Sequence, residues 1–370
     1  MFRKFLLLAL LIFPFAVNAH TPSSSYLFIN EDAAELQLRW DIALRDLEFV
    51  IGLDSNQDQK ISWQEVKDKQ QEITAYAYSN LSLNRDNKSC QLETINLQVV
   101  EHTDGSYAVL KVQPECKASS GLMSVDYSLL FDVDANHRGI ILDQRQENTN
   151  SYIASPDKQN IKISEGKDQK TGFNNFTTFV TQGNWHILIG FDHILFIVTL
   201  MLPAVLLYRR KQWIAVDEFR PAIISLLKIV TAFTIAHSIT LSLAILEVVS
   251  LPSRWVESAI ALSVILVAVN NIKPLFIHSR WSMAFLFGLI HGFGFASVLN
   301  NLELNSGSLL LSLLGFNVGV EIGQGLTLLL LFPLAYLLRK SNLYQTYILK
   351  FGSLLISLLA SVWLVQRIAV

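Results

Sequence analysis

The chain has 370 residues, 51% of them hydrophobic, with a formal net charge of −2 and a mean hydropathy of +0.36. That balance, without any basic run, excludes a nucleic-acid partner. The apolar excess falls after about residue 180 and the chain before it is mixed and polar. Two units of different kind are therefore expected, rather than one large globule.

Residues 1–19 read as a signal peptide. Arg3 and Lys4 open it, Phe5 to Phe15 form a short apolar stretch, and Val17-Asn18-Ala19 offers small residues for cleavage. An uncleaved anchor helix is the alternative. Removal would leave His20 first, where amine and ring together can chelate a metal.

Residues 20–178 then form an exported α+β domain. Ser24–Ile29 reads as a strand. Asp32 to Gly52 reads as a helix, because Leu36, Trp40, Ala43, Leu44, Leu47 and Ile51 recur at spacings of three and four. Residues 54–65 carry the oxygen-ligand spacing of an EF-hand calcium loop. Asp54, Asn56, Asp58, Ser62 and Glu65 stand at positions 1, 3, 5, 9 and 12, and Lys60 at position 7 would offer only its carbonyl. The departure is Gln59 at position 6, where the turn wants glycine. A glutamine there must take a left-handed conformation at about 1 kcal/mol or more. The expectation is an EF-hand-like loop followed by a helix from Trp63 to about Ser79, with Ca2+ as a candidate ligand. A helix–loop–helix that kept its shape and lost its ion is the alternative.

Cys90 and Cys116 are the only cysteines, and an exported compartment favours a disulfide between them. They lie equally far from Thr103, at the open end of a predicted hairpin with strands Leu92–Glu101 and Ala108–Val112 and a turn at Thr103-Asp104-Gly105. Two free thiols are the alternative. Tyr127–Val133, Gly139–Asp143 and Ile161–Ser164 read as further strands, and Asp132–Asn136 as a turn.

Residues 184–370 read as an α-helical membrane bundle. A crossing needs about 20 mainly apolar residues, and six stretches qualify: 184–207, 221–249, 255–272, 281–300, 308–337 and 346–366. With the first domain outside, the inner connections hold Arg209, Arg210, Lys211, Arg220, Lys273, Arg280, Arg339, Lys340 and Lys350. The outer connections hold Arg254 and Arg367. That asymmetry obeys the positive-inside rule. It places the bundle in a bacterial cytoplasmic (inner) membrane, with the N-terminal domain in the periplasm.

Ionisable groups in hydrocarbon cost about 2.5–3.5 kcal/mol each, so they need a partner or a task. The first predicted span carries His186, Asp192 and His193. The second carries His237, the third Glu257, the fourth His291, and the fifth Asn317, Glu321 and Gln324 on one stripe. Imidazole and carboxylate at similar depth suit a divalent transition metal. The alternative is a polar network that only holds the helices together. Gly288, Gly292 and Gly294, and Gly315, Gly319, Gly323 and Gly325, permit close helix approach.

The stretch His186-Ile187-Leu188-Ile189-Gly190-Phe191-Asp192-His193 resembles the H-P-x-x-G-x-D-H signature of the HupE/UreJ membrane proteins, with Ile187 in place of Pro. Gly288–Ala296 matches the family's second, His- and Gly-rich signature only in part, lacking a second His and the Glu. Runs at 39–47, 233–241 and 316–324, with the EF-hand-like loop, are similar to a branch with a large exported domain. The resemblance implies nickel-type transport or an accessory role in metalloenzyme maturation, with maturation proteins as partners.

The first functional expectation is a nickel- or cobalt-type permease, zinc being a further candidate, with His186, Asp192, His193, His237, His291 and Glu321 lining the path. Glu257, Asn317 and Gln324 would be secondary lining. The alternative is a non-transporting accessory or calcium-responsive protein. An intramembrane metalloenzyme ranks last, because no H-E-x-x-H occurs. The chain is expected not to be an enzyme.

Overall fold

In the computed structural model the described residues are 23–32, 35–102, 105–116, 121–146, 149–163, 171–249, 251–276, 280–295 and 306–369. The expected signal peptide, the Thr103-Asp104 turn and residues 296–305 lie outside them.

The N-terminal unit is α+β. Strands β1 (Ser24–Asp32) and β2 (Glu35–Ala43) lead into helix α1 (Leu44–Ile51), then α2 (Trp63–Asp68) and α3 (Gln70–Ser79). Next come β3 (Leu81–Arg85), β4 (Lys88–Ser89), β5 (Gln91–His102), β6 (Gly105–Glu115), β7 (Met123–Tyr127), β8 (Arg138–Asp143), β9 (Asn150–Ala154) and β10 (Asn160–Ile163). A six-stranded sheet runs β5-β6-β2-β1-β8-β9, and a four-stranded sheet runs β10-β7-β3-β4. Only β1 and β8 pair in parallel within them.

Two expectations are corrected. The helix expected from Asp32 starts only at Leu44, and Glu35–Ala43 is a strand. Leu36, Leu38, Trp40 and Ile42 are buried at every second position, and this period of two prevails over the coincident spacing of four. The strand expected over Tyr127–Val133 is instead the end of β7 followed by a turn. The two expected hairpin strands pair, over the longer spans Gln91–His102 and Gly105–Glu115, and Cys90 and Cys116 form a disulfide at the open end, beside the Gln91–Glu115 pair.

β1 is apolar at consecutive positions because both its faces are covered. Leu27 and Ile29 point into the sandwich core with Trp40, Val66, Ile73 and Val125. Tyr26 and Phe28 point the other way, into one cluster with Phe179, Ile187, Ile197 and Phe316 of the C-terminal helices. The N-terminal unit is thus seated on the helices through a continuous apolar contact.

The C-terminal unit is helical: α4 (Thr171–Ile189), α5 (Phe191–Met201), α6 (Phe219–Ile245), α7 (Ser253–Ile272), α8 (Arg280–His291), α9 (Ser306–Leu338) and α10 (Gly352–Ala369). A short hairpin, β11 (Leu206–Arg209) with β12 (Gln212–Ala215), joins α5 to α6. Among the described residues, four helices are long and apolar enough to cross a membrane. The pair α4–α5, bent by 71°, makes a fifth if it is one crossing. The expected span at 281–300 appears only as α8 and a 3₁₀ turn, Gly292–Phe295. Close packing explains Gly288, Gly292, Gly315, Gly319 and Gly323, but not Gly325, where a Cβ would meet nothing within 4 Å. A Cβ on Gly319 would collide with the Val180 carbonyl of α4, and one on Gly292 with Thr240 of α6.

Candidate functional site

The break between α4 and α5 builds the site. Gly190 is extended (φ −71°, ψ 94°) between the last turn of α4 and the first of α5. Its amide closes α4 on the His186 carbonyl at 3.0 Å, and its carbonyl accepts the Ile194 amide at 3.0 Å. A Cβ there would lie 2.7 Å from the His186 carbonyl and 2.9 Å from His193 Nδ1. The bend folds His193 back toward His186, with ring centres 4.6 Å apart.

Two more rings close in. The His291 ring centre, at the end of α8, lies 5.4 Å from that of His193. The His237 ring centre, in α6, lies 6.5 Å from it. His193, His237 and His291 are all buried, at 5%, 0% and 1% exposure. The Asp192 carboxylate accepts the His193 amide at 2.9 Å and faces its Nδ1 at 3.0 Å. His291 Nδ1 faces the Phe287 carbonyl at 2.9 Å. Each contact takes a proton on Nδ1, and in the neutral ring that tautomer leaves Nε2 as a lone pair, the arrangement that presents imidazole to a metal. His193 Nε2, His291 Nε2 and both ring nitrogens of His237 have no hydrogen-bond partner. Buried polar atoms are normally satisfied, so four open nitrogens in one place single out this group as the candidate site.

No three His, Cys, Asp or Glu side chains among the described residues already stand in coordination geometry. The rings are gathered but not closed on a centre. The aromatic rings of Phe196 and Phe233, 4.9 and 5.2 Å from His291, fill the remaining space. Phe316 lies 5.5 Å from His186 and 6.5 Å from His237. The sequence reading missed these three phenylalanines. Their adjacency to Phe196-to-His193 and Phe233-to-His237 helical spacings was the available signal.

The remaining expected residues go elsewhere. Glu321 is on the exposed face of α9, not among the buried rings. Glu257 pairs with Arg367 at 3.2 Å, tying α7 to α10. Asn317 accepts Ser238 Oγ at 2.6 Å, and Gln324 accepts Thr234 Oγ1 at 3.1 Å, so both join α9 to α6. Gln324 is buried with its Nε2 open, lining a small cavity with Phe196 and Phe233 beyond the histidines.

In the 54–65 loop the candidate calcium ligands are engaged by the loop's own donors. Gln59 takes φ 66°, the left-handed turn its position demands. Asp54 accepts the Gln59 amide at 2.8 Å, Asp58 the Lys60 amide at 2.8 Å, and Asn56 the Asp58 amide at 2.8 Å. Glu65 accepts from Ser55 and from both the amide and hydroxyl of Ser62, capping α2. Those Ser62 bonds hold the Glu65 carboxyl below the usual range. Its oxygens are thus turned onto the loop's own amides.

Several apolar helices long enough to cross a membrane, joined to a β-rich domain, are the architecture of an integral membrane protein. The HupE / UreJ protein family model matches residues 162–367, more than half of the chain, and the chain belongs to that family. The family comprises membrane transport and accessory proteins, not enzymes, and is associated with nickel or cobalt transport and metallocentre assembly. No curated protein matches the chain.

Proposed function

We propose that the chain is a divalent transition-metal permease of the nickel or cobalt type, with six crossings and its N-terminal domain on the outer side. The observation that carries this reading is the set of open ring nitrogens on His193, His237 and His291. Two imidazoles on one tetrahedral ion, each about 2.0–2.1 Å from the metal, have ring centres about 5 Å apart. The 4.6 and 5.4 Å separations around His193 are already of that size. The ion is cargo. His186 meets it first, His193 and His291 take it through Nε2, and His237 takes it on. Asp192 balances its charge and holds His193 in register. Incomplete geometry is what a transporter requires, because an ion held by a finished cage would not leave. Gln324 and its cavity continue the way past the rings.

The test is uptake into proteoliposomes of Ni, Co, Zn, Mn, Fe and Cu. The wild type is expected to move one of them, and His193→Ala to lose at least ten-fold in rate. No uptake of any metal by folded protein sinks the reading. It would favour the accessory role, in which the N-terminal domain and its 54–65 loop act on a partner.

A further inference from the structure

Where the N-terminal domain meets α4 there is a cavity of about 30 Å³, room for about two water molecules. Ser24, Arg138 and Ser151 form its wall from the domain, and Gln182, Trp185 and His186 form it from α4. Ser151 is 2% exposed and its hydroxyl has no partner, and neither has the Trp185 indole N–H. Such groups are satisfied by water or by a passing ligand. The cavity ends on His186, the ring of the histidine group nearest the domain. Across it the Arg138 guanidinium lies 4.4 Å from the centre of the Trp185 ring. Its Nη1 is steadied by the carbonyls of Ala135 and His137 at 3.1 and 2.7 Å.

We propose that this cavity is the outer mouth of the metal path, and that Arg138 stacked on Trp185 is its gate and charge filter. The proposal rests on the permease reading. A guanidinium keeps its charge at any physiological pH, and at a narrow mouth it repels a divalent cation. The path is shut to cations while Arg138 lies on the indole. Asp134, on the turn just before β8, and Asp157 are the carboxylates whose charge acts on Arg138, and they are the partners the open state would use. A swing of the guanidinium toward them trades a cation–π contact for an ion pair and clears the way to His186.

Thiol labelling tests this, because both native cysteines are locked in the disulfide. Gln182→Cys places one reporter in the cavity. In proteoliposomes it is labelled with membrane-impermeant cationic and anionic methanethiosulfonates of matched size. Arg138→Gln is expected to raise the cationic rate at least ten-fold and the anionic rate far less. Arg138→Lys keeps the charge, so its ratio should stay near that of the parent, whereas simple misfolding would raise both rates in both variants. Equal rates for the two reagents, unmoved by Arg138→Gln, overturn the gate even if uptake is intact. Charge-selective labelling with no uptake of any metal overturns the permease reading and, with it, a gate for metal.

Discussion

Gly190 shows how one missing methyl group sets the site. Its Cβ would enter the space shared by the His186 carbonyl, His193 Nδ1 and Asp192 Oδ1. Gly190→Ala must therefore part His193 from Asp192 or straighten the bend. We expect metal uptake to fall at least ten-fold while the N-terminal domain melts as before. Gly325→Ala, where a Cβ meets nothing, is the control, and equal uptake by the two variants would refute the argument. A second single-residue effect lies in the N-terminal domain. His137 is fully buried, faces Ser23, Ser25 and Tyr127, and burial lowers its pKa to about 3. An unfolded histidine titrates near 6.5. The neutral ring's contribution is therefore complete above about pH 6.5 and declines as the pH falls toward 3, at up to about 1.4 kcal/mol per pH unit. Acid melts of the wild type should drop over that range, and those of His137→Gln should flatten there. Parallel acid curves would show that His137 is not the responsible group. The His186 and His193 motif was legible in the sequence because its spacing is local. The Arg138–Trp185 contact was not, because the two residues are joined only by the docking of one unit on the other.

Among the elements, those with a strong local signal were legible and those with mixed signals were not. The β5–β6 hairpin was read from its flanking cysteines and the turn signal between its strands, although β6 is buried at consecutive positions and the ladder shifts register between Thr94 and Asn96. β2 carries apolar residues that fit both periods, and only the partner strands β1 and β6 decide in favour of the strand. The bend in the first span was hidden because Gly190 is apolar enough to pass in a hydropathy window, while its packing cost is visible only in three dimensions. The disulfide allows a quantitative test. It closes a 26-residue separation, for which loop entropy gives about 3.5 kcal/mol. Cys90→Ser with Cys116→Ser should lower the stability of the N-terminal unit by about that amount in urea unfolding. The histidine group should keep its function, since no residue of the hairpin's open end reaches it. A loss below about 1 kcal/mol would mean that the β5–β6 ladder already orders this loop in the unfolded chain.

At the scale of the whole molecule, the seating of the β-rich unit on the helices decides whether the mouth above His186 exists at all. The apolar part of that seating, Tyr26 and Phe28 against the helices, has no direction and allows sliding. Direction comes from Asn175 on α4, which is fully buried. Its Oδ1 accepts the Ser151 amide at 2.9 Å and its Nδ2 donates to the Thr149 carbonyl at 2.9 Å. Ser308 of α9 donates to the same carbonyl at 3.3 Å. Three elements thus meet at the start of β9, on the strand that places Ser151 in the cavity wall. Removing the amide strands at least the Ser151 N–H, at about 1–3 kcal/mol. Asn175→Ala should therefore lower amide-exchange protection over 149–154 by about ten- to a hundred-fold, since 1.4 kcal/mol is one decade. Protection in β2 and β6, inside the sandwich, should not change. Asn175→Asp keeps the acceptor for Ser151 and loses only the donor, for which Ser308 still substitutes, so it should fall between. If protection over 149–154 is the same in all three proteins, the seating is apolar alone. The mouth would then have no fixed shape for Arg138 to guard.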